Sequence, residues 1–259
     1  RRSPPNIPNT SRSDARERMS TFVVLGARGG TGAQLVHKLV ARPDVKEVRS
    51  VVRDPAKVEA GTMPDDPKCK VVGGDVTDVE SLQAIFAGAT VVINATSGRS
   101  FEQCLAVDQV AVGATAKLAL EAGVQRYVLV SSQLVHPANT WKFVRLILNN
   151  VITGFKAPWS SKPGMMDMKF QGEQLLRASG VPYTIVRPGR LVDGPLDATP
   201  FAGQTNSHFM KGAASTRADV AAVCILAAED ERTRNCTFEL ASDATKPGAK
   251  DGSMRGEPV

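Results

Sequence analysis

The chain has 259 residues, 42% hydrophobic and 22% charged, with four cysteines, three histidines and a formal net charge of +6. A chain this long buries roughly 70–75% of its extended surface, enough for a core without disulfides or metals. Cys69, Cys104, Cys224 and Cys236 share no C-x-x-C spacing, and His37, His136 and His208 are too scattered for a metal site. No apolar run approaches the roughly 18 residues of a membrane span.

Residues 1–18 read as a basic N-terminal extension, since Arg1 to Met19 holds five arginines against two acids and has no apolar periodicity. An Arg- and Ser-rich segment poor in acids is expected to be the end of a plastid or mitochondrial targeting sequence, or else a basic tail with no address. From Thr21 to Leu25 an apolar strand runs into a glycine-rich turn, in which Gly26, Gly29 and Gly32 make a G-x-x-G-x-x-G pattern. Residues 34–40 continue with helical spacing at Val36, Leu39 and Val40. Further strands are expected over 48–52, 70–73, 90–95, 127–131, 183–186 and 237–240. Helices are expected over 78–86, 101–121, 165–179 and 218–228.

In the helix over 101–121 the buried stripe reads Val107, Val110, Ala111, Ala114 and Leu118. A further helix over 141–156 turns Trp141, Val144, Leu148, Val151 and Phe155 to one side. It turns Lys142, Arg145, Asn149, Thr153 and Lys156 to the other. That basic face suits a membrane surface or a partner protein, and the alternative is a lid packed over the domain. Thr216 caps the helix over 218–228, whose buried stripe reads Val220, Val223, Cys224 and Ala227. Residues 243–259 form a Gly-, Pro- and Lys-rich tail. Short continuous apolar strands separated by helices mark an α/β fold, a doubly wound parallel sheet with helices on both faces and a small C-terminal lobe. The domain is placed at 19–242, with lid or substrate-side segments at about 133–164 and 190–216.

Strand, glycine triplet and amphipathic helix in this order make a dinucleotide site the strong expectation. The first glycine permits the tight turn, the second lets the backbone approach a pyrophosphate, and the third lets helix and strand pack closely. The phosphates then meet the backbone N–H groups of Gly26, Arg28, Gly29, Gly30, Thr31 and Gly32 at the positive end of the new helix. An NAD site places an acid at the end of the second strand for the ribose 2′-hydroxyl, whereas an NADP site places a cation there. Here the position is Arg53, with Arg28 in the glycine turn and Lys57 one turn beyond. Asp54 follows, but a carboxylate one residue past the strand end points away. NADP(H) is therefore favoured over NAD(H). The alternative for Arg53 is a surface ion pair with Asp54 or Asp78.

The order of motifs resembles an atypical short-chain dehydrogenase/reductase of the NmrA-like NAD(P)-binding group, with its Rossmann-type sheet. The resemblance covers about residues 20–242. It rests on the glycine turn, Val52-Arg53-Asp54-Pro55, Gly74-Asp75-Val76-Thr77-Asp78, Val107-Asp108, Val130-Ser131-Ser132, the segment from Tyr183 to Gly189, and the run beginning Arg217-Ala218-Asp219. It implies that Asp75 and Val76 lie by the adenine and that Asn94, Ala95 and Thr96 lie near the cofactor ribose. Lys169 matches the lysine that bonds the nicotinamide ribose, and Ser132 matches the family's serine position; both are candidate catalytic residues.

Active members of the wider superfamily carry Tyr-x-x-x-Lys on one helix face, so that the lysine ammonium lowers the tyrosine pKa and the tyrosine can give a proton to a carbonyl. Four residues before Lys169 stands Met165, which has no transferable proton. The chain has two tyrosines, Tyr127 and Tyr183, and four residues after them come Ser131 and Arg187. Three readings follow. The first is an NADPH-dependent reductase that takes its proton from Ser132, His136, Asp167 or water. The second is a non-catalytic NAD(P)H-binding accessory or redox-sensing subunit of an organelle complex, with partners met through the 141–156 helix and both tails. The third, nucleic-acid binding, is disfavoured because aromatics make up only 5% of the chain and none cluster beside the arginines.

Overall fold

The computed structural model describes residues 20–139, 143–151, 163–194, 201–204 and 214–241. The N-terminal extension, the C-terminal tail and both flanks of the expected 141–156 helix lie outside the described residues. The elements in chain order are β1 (Ser20–Leu25), α1 (Gly30–Val40), β2 (Val45–Val52), β3 (Cys69–Gly73), α2 (Gln83–Phe86) and β4 (Val91–Asn94). They continue with α3 (Phe101–Gln103), α4 (Ala111–Glu121), β5 (Arg126–Val130), α5 (Phe143–Val151) and α6 (Met165–Ala178). The remainder are β6 (Tyr183–Pro188), β7 (Arg190–Val192), β8 (Phe201–Gly203), β9 (Ala214–Thr216), α7 (Arg217–Glu229) and β10 (Cys236–Ala241).

Eight strands form one sheet in the order β3-β2-β1-β4-β5-β6-β10-β8. Every pair is parallel except β10 with β8. Alternate residues of β1 face opposite layers, as the two-residue strand period requires. Phe22 and Val24 pack with Leu35, Val36 and Leu39 of α1 and with Val220 and Cys224 of α7. Val23 and Leu25 pack on the other side with Val112 and Ala116 of α4, Leu176 of α6 and Phe86. Burial on both faces is why the strands read as unbroken apolar runs. A second, two-stranded sheet joins β7 to β9 in parallel.

The helix over 101–121 is not regular. Residues Cys104–Val110 form a π segment between α3 and α4. The wider turn shifts the face within that segment, while Ala111 and Leu118 of the expected stripe stay buried in α4. Val110 is 56% exposed, while Cys104 and Asp108 are buried in its stead. In α5 Leu148 packs against a buried apolar cluster as expected, and one residue departs from its assigned side. Arg145, assigned to the outward basic side, is buried, and Phe143 and Ile147 are exposed. The reason is polar: Arg145 donates to the carbonyls of Leu134, Val135 and His136 at 2.6–2.7 Å and pairs with Asp167. Three carbonyls left by an irregular loop need donors, and a buried arginine supplies them. A third apolar cluster, holding Cys104, Leu134, Val135, Met165, Met166 and Met168, sits beneath this loop.

Candidate functional site

The order of the sheet reverses between β1 and β4, and the loops after β1, β4 and β5 meet at that switch point. Gly26 ends β1 with φ +79, and a Cβ there would lie 3.1 Å from the Ala95 carbonyl and from Thr96. The turn closes with Gly29 N–H donating to Gly26 C=O at 2.9 Å. At Gly32 a Cβ would fall 2.1 Å from that same oxygen, so helix and strand meet as closely as glycine alone allows. Thr31 and Gly32 are buried under the turn, whereas Arg28, Gly29 and Gly30 are exposed on it. Ala27 N–H donates to Val51 C=O, which draws the turn to the end of β2.

At the end of β2, Asp54 is engaged by its own loop. Its carboxylate accepts from Ala56 N–H at 3.1 Å and pairs with Lys57 at 2.9 Å. Arg53 and Arg28 are exposed and have no ion-pair partner among the described residues. Lys57 is thereby committed to Asp54, and the two arginines remain as the cations beside the turn. Asp75 accepts from Thr77 through both its N–H and its hydroxyl, at 2.9 and 2.8 Å, which shapes the turn after β3 that carries Val76.

Asn94 is buried and structural in its bonds. Its amide donates to the Tyr127 hydroxyl at 2.8 Å, and its carbonyl oxygen accepts from Thr96 N–H and Oγ1 at 3.0 and 2.6 Å. Tyr127 is fully buried, its hydroxyl also joined to Thr115, and burial pushes its phenol up to about 12. It is a core group with no route to a substrate.

Lys169 is held by a partner that the sequence reading named only as part of a motif. Its Nζ lies 2.6 Å from Asp108 Oδ1, and Gly98 N–H donates to Asp108 Oδ2 at 2.9 Å. Asp108 is brought there by the π segment. Lys169, Asp108, Thr96, Val112, Leu129, Val130 and Ser131 line a cavity of about 10 Å³, room for about one water. Ser131, rather than its neighbour Ser132, faces this space, and its hydroxyl donates to buried Glu173 at 2.7 Å. Glu173 is fixed by Arg187 at 2.6 Å and Arg177 at 3.2 Å. Ser132 Oγ accepts from Leu134 N–H at 3.4 Å.

Met165 is 7% exposed and packs in the apolar cluster under the loop. Of the other proton sources weighed, Asp167 is taken up by Arg145, Asn149 and Gly164 N–H. His136 Nδ1 accepts from Ala138 N–H while its ring stands edge-on to Phe170 at 5.6 Å. Burial, then Arg187, holds its pKa below the usual histidine value. Among the described residues no group of three His, Cys, Asp or Glu could hold a metal, and no helix is long and apolar enough to cross a membrane.

Comparison with known proteins meets this geometry. A family model described as NAD(P)H-binding matches residues 26–231. An uncharacterised chloroplastic protein of Arabidopsis thaliana is 32% identical over 66% of this chain, and the chain spans only 59% of that protein's length. An uncharacterised sugar epimerase of Bacillus subtilis is 27% identical over 88% of this chain and 96% of its own. Sanguinarine reductase of Eschscholzia californica is 27% identical over 86% of this chain and 89% of its own. Among solved structures, the oxidoreductase ylbE of Lactococcus lactis superposes with a TM-score of 0.70 at 17% identity, covering 86% of this chain and 90% of that one.

Proposed function

Given that the chain belongs to the NAD(P)H-binding family, we propose that it is an NADPH-dependent reductase that works without a Tyr-Lys pair. The observation that carries this is the Lys169–Asp108 pair on the cavity wall, 2.6 Å apart and almost wholly buried. A buried ion pair is weak as a stabilising device, because desolvation offsets most of its attraction. It does hold an ammonium in one place. Lys169 has three N–H donors and Asp108 takes one, leaving two for ribose hydroxyls or for charge growing on a substrate oxygen.

The bound dinucleotide supplies a hydride. With Met165 in place of an acid, the acceptors that fit are those whose reduced anion is delocalised, such as quinones and enones. Lys169 stabilises that anion, and the proton comes from water, since Ser132 does not line the cavity that Lys169 faces. Epimerisation through transient oxidation fits less well, since removing hydride from an alcohol needs a base for its O–H proton and no such base stands at Met165. Arg53 and Arg28, free of ion pairs beside the turn, support the choice of NADPH. The chloroplastic relative supports a plastid location, which a fluorescent fusion of the full chain would test.

Purified protein should oxidise NADPH with quinones or enones and leave simple ketones untouched, and Lys169→Met should abolish that turnover while NADPH still binds. No turnover with any of these acceptors, despite tight NADPH binding, would favour instead a non-catalytic accessory or redox-sensing subunit.

A further inference from the structure

Arg217 opens α7 directly after β9, and Asp193 follows directly after β7. The parallel register of those strands pairs Val192 with Thr216, so the residues that follow lie side by side. Arg217 Nη1 donates to Asp193 Oδ1 at 2.8 Å. The arginine side chain crosses the mouth of the glycine turn to make this bond. A Cβ on Gly30 would lie 2.5 Å from Arg217 Cδ and 2.7 Å from its Nε. Gly30 is the first residue of α1. The first helical bond at that end is Ala33 N–H to Gly29 C=O, so the amides ahead of it point out of the helix toward the guanidinium's side of the turn.

We propose that Arg217 clamps the pyrophosphate of the dinucleotide, exchanging Asp193 for the phosphates on binding. The inference rests on the glycine turn being the phosphate cradle. A guanidinium has five donors in a planar fork, which matches phosphate oxygens, and the lone carboxylate contact on Asp193 occupies one of them. Asp193 is 84% exposed, so its contact is screened and readily given up. Two phosphates beside open helix amides offer more charge and more acceptors than it does. The clamp would tie the β7–β9 sheet and α7, already packed on α1, directly to the cofactor. Arg217 also differs in task from Arg53 at the end of β2 and Arg28 in the glycine turn, to which the 2′-phosphate is assigned.

Calorimetric titration of NADPH and NADH into the full chain and its variants tests this. Arg217→Gln should weaken both cofactors by the same factor, about tenfold or more, because the pyrophosphate is common to both. Arg217→Lys should recover part of the loss. Asp193→Asn should tighten both about twofold to fivefold, since a competing charge is removed. Arg217→Gln with unchanged affinities, or with loss for NADPH alone, would overturn the clamp. So would Asp193→Asn with unchanged or weaker binding, and that exposed site keeps the test decisive even if Arg217→Gln folds poorly. Gly29→Val is the separate control. Wild-type affinity in that variant would remove the cradle itself, and the clamp with it.

Discussion

Arg53 carries the most specific claim about a single side chain. It has no ion-pair partner among the described residues while Asp54 is engaged by Lys57 and by Ala56 N–H, which leaves a guanidinium for the 2′-phosphate of the proposed NADPH. A bidentate charge-assisted contact is worth about 1.5–3 kcal/mol, or about ten- to a hundredfold in affinity. Arg53→Ala should therefore weaken NADPH by that factor and leave NADH nearly unchanged in the same titration. Equal losses for both cofactors would mean that Arg53 reads something other than the 2′-phosphate. Tyr127 gives a second residue-level expectation. Its folded pKa is raised from 10.0 to about 12 by burial, so the unfolded chain gives up this proton first as pH rises. The associated stability is whole below about pH 10 and is lost as pH climbs toward about 12, by up to about 3 kcal/mol. Urea denaturation at about pH 9 and about pH 11 should show a smaller alkaline loss for Tyr127→Phe than for the wild type.

Elements divide into those that local sequence determines and those that their neighbours determine. The central strands were legible because they are buried on both faces and flanked by turn residues; β1, β4 and β5 fall within a residue or so of expectation. The glycine turn was legible because its geometry admits only glycine at Gly26 and Gly32. Two helices were not. The stripe of the 101–121 helix was assigned with one constant period, and the π segment breaks that period. Its effect reaches outside the helix, since Asp108 in that segment meets Lys169 and Gly98. In α5 Leu148 packs inward as its pattern predicts, but Arg145 is buried as well, because it answers carbonyls of residues 134–136 and no helical wheel contains that loop. The same logic hid the roles of Asp108 and Glu173, whose partners Lys169 and Ser131 lie some sixty and forty residues away. Arg145→Ala should thus cost about 3–5 kcal/mol of stability, measured by denaturation, because a carboxylate and three carbonyls lose their donor. Arg145→Lys should recover little, lacking the planar fork.

At the scale of the whole molecule, the two apolar layers hold the sheet, and the third cluster carries the loop above the cavity. Burial in these layers pushes the Cys224 thiol up to about 12 and the Cys104 thiol up to about 11, the latter with help from Asp108. Cys69 and Cys236 are only half-buried. A thiol reagent should then find two reactive cysteines in the native protein and four after denaturation. The sheet sets the Lys169 ammonium and the glycine turn along one edge, an arrangement that suits the hydride transfer proposed above. The most direct measurement follows that hydride. The protein is given NADPH carrying deuterium at nicotinamide C4, each face labelled in turn, together with an enone or quinone, and the reduced product is weighed by mass spectrometry. For an enone, one of the two labels should appear in the product on carbon, with none from the other face. An unlabelled product from both, or no product while NADPH remains bound, would contradict hydride transfer at this site.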